Sequence, residues 1–427
     1  MKALKQGINK LENSKASFIY FVLSFIFIIA LRNFIEPFST HVPMTFSPFL
    51  HFSLFYIALG MSLMLFLHAL LRIELIKIAK AVMFGFIILV FPPLIDLIIS
   101  GGKGLQMAYL FPETHPGLAY RFITFWGNFS GMGITYGMRI EIAIVLMGIF
   151  LYCYIKTSKK LKSLLFTFLS YVFFFLFSMV PFIIKWILFF NSSHVSYPDS
   201  IFINFYLWII TLTGISFLYI TNKKYLKLIW NDVKPAITRI LHFILMPFLG
   251  FVLAMKYYPQ FNFCNCNIAS YGISVPIAII FACLFAMVIN NIEDLEIDKI
   301  SNSNRILVSS QINLEQYKRL SWILLSIGLF YASLVNFQVF FAILLFCGIY
   351  FLYSAHPFRL KRIPILSKFL IALNSFILVL LGFNLATGSV NQFPQIVTAI
   401  FLIGFTLVIN FIDIKDYEGD KKAGIKT

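Results

Sequence analysis

The chain has 427 residues, of which 60% are hydrophobic and 12% charged, with 34 Lys and Arg against 17 Asp and Glu. A soluble domain carries about 25% charge and about 45–50% apolar residues, so a single aqueous core cannot hide this excess and a water-soluble globule is excluded. The net charge of +17 does not mark a nucleic-acid binder, because the basic residues lie in short segments between apolar runs, as topology signals do.

Lys2, Lys5, Lys10 and Lys15 precede the first apolar run, as in a signal sequence. No small-residue cleavage site follows it, so it is read as a retained span. Apolar runs, each long enough to cross ~30 Å of hydrocarbon, are predicted at 18–34, 48–71, 80–100, 140–155, 163–190 and 201–220. The segment at 101–139 is long and aromatic and is expected at the membrane interface, as a bundle cap in preference to a lid or lipid site. Asp96 and Lys185 fall near span ends, where snorkelling accounts for them.

The basic loop 221–239 (TNKKYLKLIWNDVKPAITR) leads to a second set of runs at 235–256, 271–291, 319–334, 337–353, 364–386 and 394–412. The expected architecture is therefore all-α, a multi-pass transmembrane bundle of about twelve spans; the alternation a membrane barrel needs is absent. Two domains are expected, a six-span block over 1–230 and a second block over 231–427. Cys264 and Cys266 lack further ligands nearby and are read as ordinary thiols. Threading the chain from a cytoplasmic N-terminus leaves only Arg32, Lys103, Arg121, Arg139, Lys185 and Lys256, of the 34 basic residues, outside the cytoplasmic loops.

The acids are unevenly spread. Eight of the 17 fall in two short segments, Asn290-Asn291-Ile292-Glu293-Asp294-Leu295-Glu296-Ile297-Asp298 and Asp413-Ile414-Lys415-Asp416-Tyr417-Glu418-Gly419-Asp420. Four spans separate them, and an even number returns the chain to the same face. Asn290, Asp294 and Asp298 stand at i, i+4 and i+8 on one helical face, and Asp416 and Asp420 repeat the step. Carboxylates stacked this way repel unless a cation lies between them, and Mg²⁺ suits one or two carboxylates combined with phosphate oxygens. Solvated loop charges are the plainer reading of one such cluster; two on one face of so acid-poor a chain favour a metal–diphosphate site. A third segment on that face, Tyr353 to Arg362, brings Arg359, Lys361 and Arg362. Alone it reads as a topology signal, but beside two acidic segments it offers phosphate contacts. Asn304 and Arg305 follow the first cluster.

These residues resemble the UbiA-type intramembrane prenyltransferases over about 235–427. The first family motif, N-D-x-x-D-x-x-x-D followed by N-R-P-L, is similar to Asn290-Asn291…Asp294…Asp298 and Asn304-Arg305-Ile306-Leu307. The second resembles Asp413…Asp416-Tyr417-Glu418-Gly419-Asp420…Gly424-Ile425-Lys426-Thr427, and Tyr353…Pro357…Arg359-Leu360-Lys361 looks like the basic loop between them. Asn291 stands where the family has an acid, Ile306 where it has a proline and Ser310 where it has a glycine. Family members continue for three more helices after the second motif, so the sequence is read as ending before that fold is complete.

The resemblance implies a prenyltransferase with an isoprenyl diphosphate donor and an aromatic or lipid acceptor dissolved in the bilayer. Mg²⁺ would be held by Asp294, Asp298, Asp416 and Asp420, with Asp413 as a further ligand. Asn290, Asn304, Arg305, Tyr353, Arg359, Lys361 and Lys426 would bind substrate. Two other readings remain: an intramembrane terpene cyclase, and a non-catalytic protein that binds or transports polyprenyl phosphates. Oligomeric state is not readable.

Overall fold

The computed structural model describes residues 2–106, 117–127, 134–188, 199–259, 265–301 and 305–413. Every regular element among the described residues is helical. Long apolar runs satisfy their backbone groups internally only as helices when lipid is the solvent. Cα packing divides the chain into two compact units, Met1–Lys223 and Lys224–Thr427.

The first unit contains α1 (Lys2–Glu12), α2 (Phe18–Thr40), α3 (Phe46–Leu71), α4 (Leu75–Gly85) and α5 (Phe91–Ile99). It continues with α6 (Leu118–Ile123), α7 (Tyr136–Thr157), α8 (Lys160–Ser178), α9 (Val180–Leu188) and α10 (Asp199–Thr221). Left-handed residues end several of these helices: His41 after α2, Arg72 after α3 and Ser158 after α7. Phe25, Ile29, Tyr56 and Met64 form one buried cluster with residues of α4, and Leu63, Ile149, Cys153 and Phe166 form another. Asp96 differs from its snorkelling expectation. It is 2% exposed and accepts a hydrogen bond from the Gly137 backbone N–H at 2.7 Å, so it is a buried link between α5 and α7. Lys185 has its side chain outside the described residues, as does Cys266; Cys264 lies wholly outside them.

Helix α1 is amphipathic, with Leu4, Ile8 and Leu11 on one face. Its last residue, Glu12, is buried and accepts from Tyr152 Oη at 2.8 Å and Lys156 Nζ at 2.5 Å. Lys80 Nζ donates to the Ser14 carbonyl at 2.8 Å and so holds the turn that follows. Breaking a buried pair by removing one partner costs about 3–5 kcal/mol, because it strands the other charge. Glu12→Ala is therefore expected to release α1, read as severalfold faster tryptic cleavage at Lys5 and Lys10 in detergent; an unchanged cleavage rate would refute the clamp.

The second unit begins with α11 (Lys223–Val233), where sequence reading expected a loop. Leu226, Ile229, Trp230 and Val233 recur at i, i+3, i+4 and i+7, an apolar stripe among lysines, and none of the helix is buried. After it come α12 (Ile237–Tyr257), α13 (Asn265–Glu293), α14 (Leu295–Ser301), α15 (Leu314–Ser333), α16 (Phe337–Ser354), α17 (Pro364–Thr387) and α18 (Gln395–Asp413). α12 packs along α17 and α13 along α15, with α16 touching α13, α15 and α17. Ala254, Phe376, Val379, Phe383 and Phe393 form a core between α12 and α17. Ile396, Ile400, Ile403 and Leu407 line one exposed face of α18, which suits contact with lipid chains.

Among the described residues, ten helices are long and apolar enough to cross a membrane. The other two predicted spans correspond to α15, whose first turns carry Glu315, Lys318 and Arg319, and to α18, whose apolar stretch is Gln395–Val408. The chain is an integral membrane protein.

Candidate active site

The first acidic motif sits where α13 gives way to α14. Asp294 is the single non-helical residue between them, yet the backbone bonds Asp294 N–H to Asn290 O (2.9 Å) and Asp298 N–H to Asp294 O (2.8 Å) keep the helical step. Asn290, Asp294 and Asp298 therefore share a face. Each meets a basic or hydroxyl group brought from elsewhere in the second unit.

Asp294 lies between two cations. Its Oδ1 accepts from Arg359 Nη2 and its Oδ2 from Lys361 Nζ, each at 2.5 Å. Lys361 Nζ also donates to Asn290 Oδ1 at 2.9 Å, and Ser354 Oγ to the same oxygen at 3.2 Å. Arg359 is 7% exposed and has a left-handed backbone, φ 41° and ψ 53°, which costs a non-glycine residue of order 1 kcal/mol or more. That conformation follows the segment Ala355–Phe358 and is fixed by Arg359 N–H to Ala355 O at 2.8 Å. Burial pushes the Lys361 ammonium below its ordinary value, and Asp294 opposes that shift. Glu293, one residue before, holds the His356 ring at 2.8 Å and so ties the basic loop to the end of α13.

Asp298 is buried and pairs with Arg305 Nη1 at 2.7 Å. The same Arg305 atom donates to Asn291 Oδ1 at 2.5 Å. Asn290, Asn291, Arg305, Tyr353 and Ser354 line a cavity of about 540 Å³. Its apolar wall includes Phe243, Cys283, Met287 and Tyr350, and Asp232 and Arg239 add two charges that sequence reading did not single out. Asp232 was visible only as part of a basic segment between blocks, and nothing in its local spacing links it to residues 291 or 317.

The structure thus brings Asn290, Asp294, Asp298, Arg305, Tyr353, Arg359 and Lys361 to one region. Asn304, Asp416, Asp420 and Lys426 lie outside the described residues, as does the side chain of Asp413 at the end of α18. Among the described residues, no group of three His, Cys, Asp or Glu side chains is close enough to hold a metal by itself. The residues present still fit Mg²⁺ with a diphosphate: two carboxylates one helical turn apart are hard oxygen donors, and three cations flank them for phosphate oxygens.

Two departures from the motif acquire physical content. Ser310 has φ 54°, a conformation that glycine adopts without a Cβ penalty. Ile306, in the proline position, is 5% exposed beside the cavity.

Comparison with known proteins converges on the same segment. Residues 243–427 match the UbiA prenyltransferase family. A digeranylgeranylglyceryl phosphate synthase of Sulfolobus acidocaldarius is 33% identical over 143 residues, 33% of this chain and 50% of that protein. Proteins of the same name from Sulfurisphaera tokodaii and Pyrococcus horikoshii are 29% and 28% identical, over 36% and 35% of this chain and 57% and 53% of theirs. The chain thus spans about half the length of the relatives it matches. No solved structure matches it. What this chain is similar to, over its C-terminal residues 243–427, is therefore the UbiA prenyltransferase family.

Proposed function

We propose that the protein transfers an isoprenyl group from a polyprenyl diphosphate to a lipid acceptor inside the membrane. The observation that carries the reading is Asp294 held between Arg359 and Lys361 one helical turn before Asp298, next to a cavity lined by both polar and apolar side chains. The relatives are named for digeranylgeranylglyceryl phosphate, which favours a geranylgeranyl donor and a glyceryl phosphate lipid over an aromatic acceptor.

Arg359 and Lys361 would exchange their contacts with Asp294 for diphosphate oxygens, leaving that carboxylate and Asp298 for Mg²⁺, with Asp416, Asp420 and Asp413 completing the set from the second motif. Bound there, Mg²⁺ would neutralise the diphosphate and favour its departure from the allylic carbon. Arg305 and Asn290 would orient the leaving group, and the apolar wall would receive the isoprenoid tail and exclude water. Asn304, Tyr353 and Lys426 are proposed as further substrate contacts. The positive-inside pattern supports an N-terminus and active-site loops on the cytoplasmic side, with residues 1–230 as a separate membrane domain.

The test is diphosphate release from geranylgeranyl diphosphate by purified protein in detergent, with Mg²⁺ or EDTA. Geranylgeranylglyceryl phosphate and 4-hydroxybenzoate would be offered as acceptors. Mg²⁺-dependent release that is lost in Asp416→Ala and stimulated by the lipid acceptor is expected. Mg²⁺-dependent binding without release, across several donors and acceptors, would leave the protein a polyprenyl-phosphate binder.

A further inference from the structure

We infer that Asp232 supplies the carboxylate that the first acidic motif lacks at position 291, acting through Asn291 as a positioning residue for Arg305. This role rests on the prenyl-transfer reading above. An amide at 291 carries no charge, but it can transmit orientation, because its oxygen only accepts and its nitrogen only donates. Here both ends are engaged. Asn291 Nδ2 donates to Asp232 Oδ2 at 3.2 Å and to Tyr317 Oη at 3.0 Å, while Asn291 Oδ1 accepts from Arg305 Nη1 at 2.5 Å.

The anion thereby fixes which way the amide points. With Nδ2 drawn to Asp232, Oδ1 faces the guanidinium, and Arg305 is held between Asn291 and Asp298. Tyr317, 1% exposed, donates its hydroxyl to the same Asp232 oxygen and braces the carboxylate from α15. An acid at 291 would reach Arg305 without help, but beside Asp232 it would set two carboxylates in contact. Asn291 and Asp232 are therefore a matched pair, with the negative charge moved one side chain outward from the motif.

Its location in the chain supports the role. Asp232 lies on α11, before the segment matched to the family at 243–427, yet it lines the same cavity as Asn290, Asn291 and Arg305. The charge missing from the motif is returned from a neighbouring helix.

The experiment compares wild type, Asp232→Asn, Asn291→Asp and the double variant, each checked for folding by size exclusion and thermal melting. Binding of geranylgeranyl diphosphate is read as a thermal shift in EDTA, where turnover is not required, and diphosphate release is read separately in Mg²⁺. Asp232→Asn is expected to weaken donor binding about tenfold, the scale of losing a hydrogen bond to a charged group. Asn291→Asp, which crowds two carboxylates, is expected to weaken it as well. The double variant, with an acid at 291 paired directly to Arg305, is expected to return to within about threefold of wild type.

Wild-type binding in Asp232→Asn, or a double variant no better than Asp232→Asn, would overturn the inference. If Asp232→Asn does not fold, Asn291→Asp and the double variant differ only at 232; stronger binding by the double supports the role and equal binding overturns it. Wild type that binds donor without releasing diphosphate sinks the enzymatic reading alone, since the ranking of variants by binding still decides the role of Asp232.

Discussion

Asp294→Ala is expected to lower diphosphate release by about 10²–10³-fold or more, the scale of losing a preorganised electrostatic contact to a developing charge. The substitution does two separate things. It removes a proposed metal ligand, and it strands Arg359 and Lys361, whose side chains are 8% and 17% exposed and share the Asp294 carboxylate. Uncompensated buried charge destabilises in its own right, so lost activity in the alanine variant would be ambiguous without a folded-state control. Asp294→Asn separates the effects. Its amide oxygen still accepts from one of the two cations, so the variant is expected to melt closer to wild type while remaining as inactive as alanine. Near-wild-type release in the folded asparagine variant would show that Asp294 is structural and would remove the centre of the proposed site.

Asp298 provides a comparison, because it pairs with Arg305, which keeps a second contact on Asn291. Asp294 joins the α13 terminus to the basic loop, and under the proposed function donor binding there would be coupled to the order of that loop.

Much of this was legible before any coordinates. The i, i+4, i+8 relation of Asn290, Asp294 and Asp298 is a local property of a helix, and it survives the break at Asp294 because the backbone bonds on either side persist. Arg359 and Lys361 were legible as chemistry, but not as partners of Asp294. That pairing depends on a left-handed residue after Ala355–Phe358, which no local propensity for arginine predicts. Asp232, Arg239 and Tyr317 were illegible for a different reason. They come from α11, α12 and α15, and only the packing of those helices brings Asp232 and Tyr317 onto Asn291 and sets Arg239 in the cavity wall. The segment 221–239 misled because lysines dominate its composition, whereas its apolar residues recur at helical spacing. Asp96 misled because nearness to a span end says nothing about which side chains surround it.

Gly382→Ala is expected to have the largest effect on folding, leaving little monodisperse protein after extraction and a markedly lower melting temperature in what remains. Helices α12 and α17 approach so closely at this point that a Cβ on Gly382 would lie 1.8 Å from the Pro247 carbonyl oxygen, and one on Gly250 would lie 1.9 Å from that of Val379. Glycine is required here for the distance it allows. In lipid, helices gain little from burying apolar surface, and close backbone approach supplies packing and weak Cα–H···O contacts instead. Overpacking usually costs about 1–3 kcal/mol when side chains can yield. Here the obstacle is backbone on a partner helix, so the whole α12–α17 contact must open. That contact carries the core of Ala254, Phe376, Val379 and Phe383, and α12 also bears Arg239 and Phe243 of the cavity. Gly348→Ala on α16 and Gly404→Ala on α18 are the controls, since nothing lies within 4 Å of a Cβ at either position. Both are expected to extract and melt like wild type. If Gly382→Ala behaves as they do, α12 and α17 do not cross at this distance, and the cavity wall built on that crossing must be redrawn.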